Sequence, residues 1–556
     1  MSVTSAPITR LSLRTRHRSA LLLAYAAGLL GTSGGAAAQT VQPAQVDPAA
    51  LQRQEQDRRR QVEQAPQAAA AAAPTVRQEP LPNAARPAAA GPHFVLRKLH
   101  FGPSAFLGAA ELDAVAAVYV GKTVDFVTLS AIVDRVNALY LRHGVLTGRA
   151  VLPPQKVADG VVRIDLVEAR LGQVSTGKTA YSRATYLAGL VAEDAGGTID
   201  TLALSDRIAR LNRAGAVQIE ANLRPGASFG LSDLMLDLRE PPRYQARVFV
   251  NNESSQNIGR NQAGIDATLN GPAGLGDRLS VYITRSRGAT LGSLSYAVPI
   301  NRWGGHLSAN YNVGSTDVVA GPYRALGISG ISHAVQLGAV QPVWQRGAWY
   351  LDLAATVGRT GSANRIDNAP LSDTTIVNQT GGATFAGAND QRSINLSATV
   401  THARSTAATA ETRNFNVRQF NVSLVENFGD KQFAVLRLSG QTTGADLLAP
   451  SLLFQLGGVA SVRGYDVGVL SGDRGILDNI EFHRRFSGAL SGFGFYDSGE
   501  VRTRGLPDQV ARSAGVGLDI QWGRHLSANV TAGRALTTVV PGQSNWRVTG
   551  RISYDL

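Results

Sequence analysis

The chain has 556 residues, 44% of them hydrophobic, with 59 glycines, 2 methionines and no cysteine, and a formal net charge of +13 at pH 7. The absence of cysteine excludes a disulfide framework and thiolate metal sites, and no run of about 18 apolar residues follows the N-terminal segment, so no transmembrane helix is expected there. The basic balance does not point to nucleic acid, because the arginines are spread through alternating segments and not clustered with stacking aromatics.

Residues 1–38 read as a secretory signal. Arg10, Arg14, Arg16 and Arg18 form a positive n-region, Ala20–Leu30 a short apolar core, and Ala36-Ala37-Ala38 a small-residue cleavage site. Residues 39–64 carry a polar helix. Asp47 suits its N-cap and Pro48 its first turn, and Leu51 and Val62 are the only large apolar residues along it. A helix polar on every side does not pack into a dry core; it is either a solvated tail or an occupant of a water-filled space. Residues 65–92, with Pro66, Pro74, Pro80, Pro82, Pro87 and Pro92, are expected to be a linker without regular pairing.

A globular pattern begins at His93. Phe94–Phe101 suggests a strand, and Glu111–Tyr119 a short helix. Thr128–His143 gives a clearer helix, with Leu129, Ile132, Val136 and Tyr140 on one face and Gly144 as its stop. Gly148–Leu152 and Val161–Val167 read as strands. The order β-α-α-β-β, spanning 93–168, is repeated over 169–240, which makes a tandem repeat at the level of pattern. Pro241-Pro242 marks a boundary.

From 243 to 556 the helical period disappears and period-two alternation takes over, as in Arg278–Thr284, His306–Val313, Ser393–Thr401, His525–Ala532 and Arg547–Leu556. Alternation alone also fits a soluble sandwich. The length of the segment, strands of about ten residues, and short turns alternating with long polar loops favour a membrane barrel of about sixteen strands. The short turns are expected at Asn301–Gly304, Phe428–Lys431 and Trp522–Arg524, and the long loops at Ser315–Gly330, Arg359–Asp373 and Gly444–Asp473. No strand is assigned within Ser372–Asp390.

One stretch stands apart. Ser461-Val462-Arg463-Gly464-Tyr465 sits in a Gly-rich connection, and Phe495-Tyr496-Asp497 follows in an apolar strand. Arg463 either caps a solvated hairpin tip or folds inward to meet Asp497. No phosphate-binding glycine loop, metal-spaced histidine group or catalytic triad appears. No enzymatic activity, cofactor or metal is therefore expected.

The assembled pattern resembles the outer-membrane transporters of two-partner secretion, the TpsB or haemolysin secretion/activation family. The likeness rests on Tyr119-Val120-Gly121-Lys122, Tyr140-Leu141-Arg142-His143-Gly144 and Leu152-Pro153-Pro154-Gln155 in the first repeat. It rests further on Leu223-Arg224-Pro225-Gly226 in the second, and on Val462-Arg463-Gly464-Tyr465 in the connection. The ending at Leu556, where such barrels often carry Phe, departs from the pattern. The resemblance implies an all-β transmembrane barrel of about sixteen antiparallel strands, preceded by two α+β POTRA domains and an N-terminal plug helix. It implies a pore-loop motif at Val462, Arg463, Gly464 and Tyr465, with Asp497 as its partner on the barrel wall. The implied partners are a large secreted TpsA-type exoprotein, outer-membrane lipids and the barrel-assembly machinery, with the POTRA domains in the periplasm. The rival expectations are a barrel-insertion factor and a passive porin.

Overall fold

The computed structural model describes residues 47–63, 76–78, 92–192, 196–321, 323–407 and 410–556. The expected signal at 1–38 and most of the expected linker lie outside the described residues. The first elements are helix α1 (Pro48–Glu63) and the short strand β1 (Val76–Gln78).

An α/β unit follows, made of β2 (Phe94–Val95), β3 (Lys98–Phe101), α2 (Ala109–Ala117), β4 (Thr123–Val124), α3 (Phe126–Arg142), β5 (Gly148–Val151) and β6 (Val161–Glu168). Asp125 starts α3 by accepting from the Thr128 amide at 2.8 Å, which satisfies one of the donors a helix start leaves open. Leu129, Ile132, Val136, Leu139 and Tyr140 form its buried stripe against the sheet β3-β6-β5. At Gly144 the chain leaves the helix with φ +70°, a conformation that suits glycine.

The second unit repeats the order with β7 (Arg170–Thr176), α4 (Ala184–Val191), α5 (Thr201–Ala214), β8 (Gln218–Pro225) and β9 (Leu231–Arg239). Its sheet has four strands, in the order β1-β8-β9-β7. The fourth comes from the stretch expected to be an unpaired linker. Val76, Arg77 and Gln78 pair in parallel with Ala221, Asn222 and Leu223. Val76 explains the difference: this β-branched residue is buried in the unit's apolar cluster. At the end of the unit the Glu240 carboxylate accepts the Tyr181 and Ser182 amides at 3.2 and 2.7 Å. Burial pushes this carboxyl up, but the Ser182, Ala180 and Tyr181 hydrogen bonds outweigh it and hold the pKa below its ordinary value.

The remaining strands close into one barrel of sixteen. They begin with β10 (Tyr244–Asn251), β11 (Gln262–Asn270), β12 (Arg278–Ser286), β13 (Ala289–Pro299) and β14 (His306–Asp317). Long strands follow: β15 (Ile328–Arg346), β16 (Trp349–Ile366), β17 (Ala369–Ala388), β18 (Arg392–Ala407) and β19 (Ala410–Asn427), then β20 (Gln432–Thr443). The chain then leaves the wall for a small hairpin, β21 (Phe454–Leu456) and β22 (Leu470–Gly472). It returns as β23 (Arg474–Arg485), β24 (Leu490–Arg502), β25 (Gln509–Trp522), β26 (Leu526–Ala535) and β27 (Trp546–Asp555). Pairs from Arg247↔Asp555 to Asn251↔Arg551 close the ring, so the sheet keeps no open edge in lipid. The Leu556 amide adds a bond to the Ala246 carbonyl at 2.8 Å.

Two expectations are corrected. Residues 359–373 are not a loop. They are the far ends of β16 and β17, which turn on Asp367 and Asn368 at φ +44° and +65°. The stretch 372–390, left unassigned, is mostly β17. Both follow from one cause: beyond the bilayer both faces of a strand meet water, so pairing continues where the apolar alternation stops. Within the membrane the alternation holds, with Leu307, Tyr311, Leu337, Val357, Val400 and Ile552 facing outward.

Leu337→Arg, in the outward row, is expected to destabilise the barrel by about 2–4 kcal/mol if it lies at the bilayer midplane. The check is the fraction of heat-modifiable, folded protein in outer membranes, which falls for this variant but not for lumenal Gln336→Arg. Glu240 gives a pH expectation. Because its folded pKa is depressed, its contribution is present above the unfolded value and is lost as pH falls through the folded one. Amide protection at 180–182, taken relative to the intrinsic exchange rate at each pH, should therefore fall on acidification, and Glu240→Gln should abolish that dependence.

Candidate functional site

The connection between β20 and β23 folds into the barrel. Gly464 has φ +96°, and a Cβ there would meet the backbone of Gly533, Arg534 and Ala535 at 3.2 Å. The chain thus lies backbone to backbone against β26, which only glycine permits. Flanking side chains use the same approach. Val462 is buried with Leu456, Leu477 and Val501. The Tyr465 hydroxyl reaches the Arg512 and Thr537 carbonyls at 2.7 and 2.8 Å and accepts from their amides.

Between them Arg463 turns to the wall. Its Nη2 and Nε donate to the two Asp497 oxygens at 2.6 and 2.9 Å, and its own amide donates to Oδ2 at 2.9 Å. Asp497 is fully buried and Arg463 is 7% exposed. Of the two readings open for Arg463, the inward one is therefore what the fold adopts. Alternation explains why Asp497 is available: on β24, Phe495, Asp497 and Gly499 face inward. Phe495 also supports the guanidinium, with Cζ 3.8 Å from its ring centre.

The pair is one part of a larger cluster. Arg463 Nη1 donates to Glu481 at 2.6 Å, and Glu481 accepts from Arg437 at 3.0 Å and meets His483 at 2.8 Å. Asn479 and Ser513 donate to Asp497 at 2.8 and 3.2 Å. Two guanidiniums thus face two carboxylates with their lone pairs largely occupied, the condition for a buried ion pair to persist. Arg463, Glu481 and Asp497 are all buried. Glu481 and Asn479 were missed in the sequence. The available signal was Asn479-Ile480-Glu481-Phe482-His483, where polar residues occupy every inward position.

Helix α1 lies in the lumen beside this loop. Asp47 caps it, accepting from the Ala49 and Ala50 amides at 2.8 and 3.0 Å. The same carboxylate accepts from Ser362 and Asn364 of β16, both at 2.9 Å. Polar residues round the helix meet polar wall positions: Gln52 with Ser332, Gln56 with Asn312, and Arg58 with Tyr282. Leu51 packs on Ile258 and Ala289. The helix also touches the inward loop, since Arg53 donates to the Ser451 carbonyl at 2.7 Å and Gln54 to that of Gly457 at 3.4 Å. A cavity of about 580 Å³ remains beside them; its barrel-wall lining is uncharged, with Asn310, Gln336, Asn378, Thr380 and Gln419, while Arg53, Glu55, Asp57 and Arg58 of α1 and Glu253 bring charge to it.

Residues 230–521 match the family described as haemolysin secretion/activation protein ShlB/FhaC/HecB, and residues 94–169 match the ShlB-type POTRA domain. The heme/hemopexin transporter protein HuxB of Haemophilus influenzae is 22% identical over 469 residues, 77% of this chain and 80% of its own. The structure of CdiB from Escherichia coli superposes with a TM-score of 0.73 at 20% identity, over 93% of this chain and 100% of that one. CdiB from Acinetobacter baumannii gives 0.63 at 18% identity with the same coverages.

Arg463→Ala leaves Asp497 and Glu481 buried without their shared counter-charge, a loss of about 3–5 kcal/mol. The expected outcome is a folded barrel whose 444–473 connection becomes protease-sensitive and whose conductance in planar bilayers rises. Exchanging the charges by Arg463→Asp with Asp497→Arg sets the new carboxylate against Glu481. Rescue is therefore expected only when Glu481→Gln is added, a difference the same two assays would register.

Proposed function

The chain belongs to the haemolysin secretion/activation family of ShlB, FhaC and HecB, the outer-membrane transporters of two-partner secretion, and on that premise we propose how this member holds its pore closed and what it carries. It is an outer-membrane translocator for a TpsA-type exoprotein, with its POTRA region in the periplasm. In our reading residues 47–63 are a plug and the 444–473 connection is an internal gate, with Val462, Arg463, Gly464 and Tyr465 as its anchoring motif and Asp497 as its wall partner. The observation that carries this is the buried Arg463–Asp497–Glu481 cluster, which fixes the connection inside a closed barrel.

The cargo proposed is a large exoprotein that crosses the periplasm unfolded. It pairs as an extended strand with an edge of the POTRA-region sheets, enters the lumen, and folds outside, so that folding biases the motion outward. The uncharged polar groups of the barrel wall around the cavity support this, because they offer an extended backbone hydrogen bonds; the charged lining residues come from α1 and Glu253. The second α/β unit is read as a second POTRA domain, and insertion of the chain itself is assigned to the barrel-assembly machinery. A barrel-insertion role is disfavoured by a lumen filled by α1 and the loop, and a porin role by the two periplasmic units.

Deleting the gene is expected to remove one large protein from the medium or cell surface while other outer-membrane barrels keep their levels. A general fall in those barrels, with the exoprotein still released, would contradict the proposal.

A further inference from the structure

The lipid-facing side of the barrel treats charge differently at its two rims. At the periplasmic rim of β18 and β19, Arg392 donates to Glu426 at 2.6 and 3.1 Å, so the charge is met within the wall. Trp344 and Trp349 stack on Phe385 near that rim, as an interfacial girdle does. Toward the extracellular rim arginine returns on the outward face, with Arg359 on β16, Arg404 on β18 and Arg418 on β19, all exposed. Arg359 lies about ten residues from Trp349, and Arg418 about ten from Phe428, the length of a strand that crosses a bilayer. The apolar band ends there: the outward position before Arg359 is Val357, that before Arg418 is Phe420, and Val400 and then His402 precede Arg404. None of the three arginines meets an acid. Their cross-strand neighbours are Val335 and Val377 for Arg359, Val377 and Asn414 for Arg404, and Val400 and Thr442 for Arg418. Among the described residues no hydrogen bond or ion pair holds any of them.

We propose that Arg359, Arg404 and Arg418 form a binding site for the phosphate groups of an outer-leaflet lipid, with the lipid's acyl chains lying on the apolar band below. Arg359 and Arg404 flank Val377 on one rung, so their backbones stand roughly 10 Å apart, within the combined reach of two arginine side chains. Arg418 sits one strand further on and four residues lower in register, and the tilt of barrel strands brings such an offset toward one height in the membrane. Guanidinium forks match phosphate oxygens in geometry and charge, and basic groups at the membrane surface attract anionic headgroups. Val357, Val400 and Phe420, exposed beneath the arginines, supply the apolar half that a free phosphate ion would leave unused. An exported polypeptide in the lumen does not reach this face. The same strands line the lumenal cavity through Asn378, Thr380, Thr401 and Gln419, where among the described residues no printed hydrogen bond from α1 reaches β17, β18 or β19. A bound lipid braces from outside the part of the wall that the helix leaves unsupported. The inference rests on the outer-membrane position of the barrel and not on the identity of its cargo.

The test uses the full-length chain refolded in detergent and titrated with lipopolysaccharide, with the same lipid after removal of its phosphates, and with inorganic phosphate, the lipid bound per barrel being counted by native mass spectrometry. The wild-type chain is expected to hold the phosphorylated lipid about tenfold or more tighter than the dephosphorylated one. Combining Arg359→Gln, Arg404→Gln and Arg418→Gln should erase that difference while the barrel stays heat-modifiable, and each single variant should lose roughly fivefold, which keeps the test decisive if the triple variant does not fold. Equal binding of the two lipids by the wild-type chain would overturn the proposal, as would a loss in Arg285→Gln, an exposed arginine on β12, equal to that in the single variants. Displacement of the lipid by millimolar inorganic phosphate would assign the arginines to a free ion and overturn the lipid as occupant. Secretion plays no part in this readout, so a failure of the translocator reading would show separately, in the gene deletion.

Discussion

A guanidinium sealed inside a barrel wall is the constraint on which the rest depends. Arg463 carries its charge to a site where it has almost no access to water. Moving such a group out of water costs several kcal/mol, and the barrel recovers this by meeting it with two carboxylates and an aromatic face, while the Asn479 side-chain amide donates to the Asp497 carboxylate. Nothing in the cluster is exchangeable singly. Removing either charge partner leaves the other buried and uncompensated, so the arrangement acts less as a source of stability than as a selector of one loop position.

The consequences spread outward from that position. With Arg463 fixed, Asp466 just beyond it accepts from Arg547 of β27 at 2.5 Å and from the Gln256 amide at 3.1 Å. This draws the first barrel connection inward, where Glu253 lies 3.6 Å from Arg58 of α1 and Ile258 packs on Leu51. The inward loop, the 252–261 connection and the lumenal helix thus brace one another beside the β10–β27 closure. A helix with so little apolar surface would be unstable in a dry core, and it is held here because each polar face finds a polar wall. Opening the pore therefore requires giving up many modest hydrogen bonds around one strong electrostatic anchor.

Much of this was legible in the sequence where the physics is local. Period-two alternation disclosed the barrel, because lipid on one side and lumen on the other impose it residue by residue. Val462-Arg463-Gly464-Tyr465 and Asp497 stood out because an arginine in a glycine-rich stretch and an aspartate in an apolar strand both need a reason. Glu481 was harder: it is one inward polar residue among several on β23, and its partner lies on a loop whose path no local pattern reveals. The long ends of β16 and β17 were hidden by the loss of alternation above the bilayer. β1 was hidden by composition, since three pairing residues between prolines carry too little pattern to register, and only the waiting edge of β8 gives them a structure.

The Arg463 cluster is what keeps the loop inside the barrel. Hydrogen exchange of the full-length protein in detergent or bilayers tests it most directly, because the Arg463 amide itself donates to Asp497. Amides 461–466 are expected to exchange as slowly as those of neighbouring wall strands. In Asp497→Asn they should exchange about a hundredfold faster or more, while β24 amides change little. Rapid, loop-like exchange of 461–466 in the unaltered chain would contradict it.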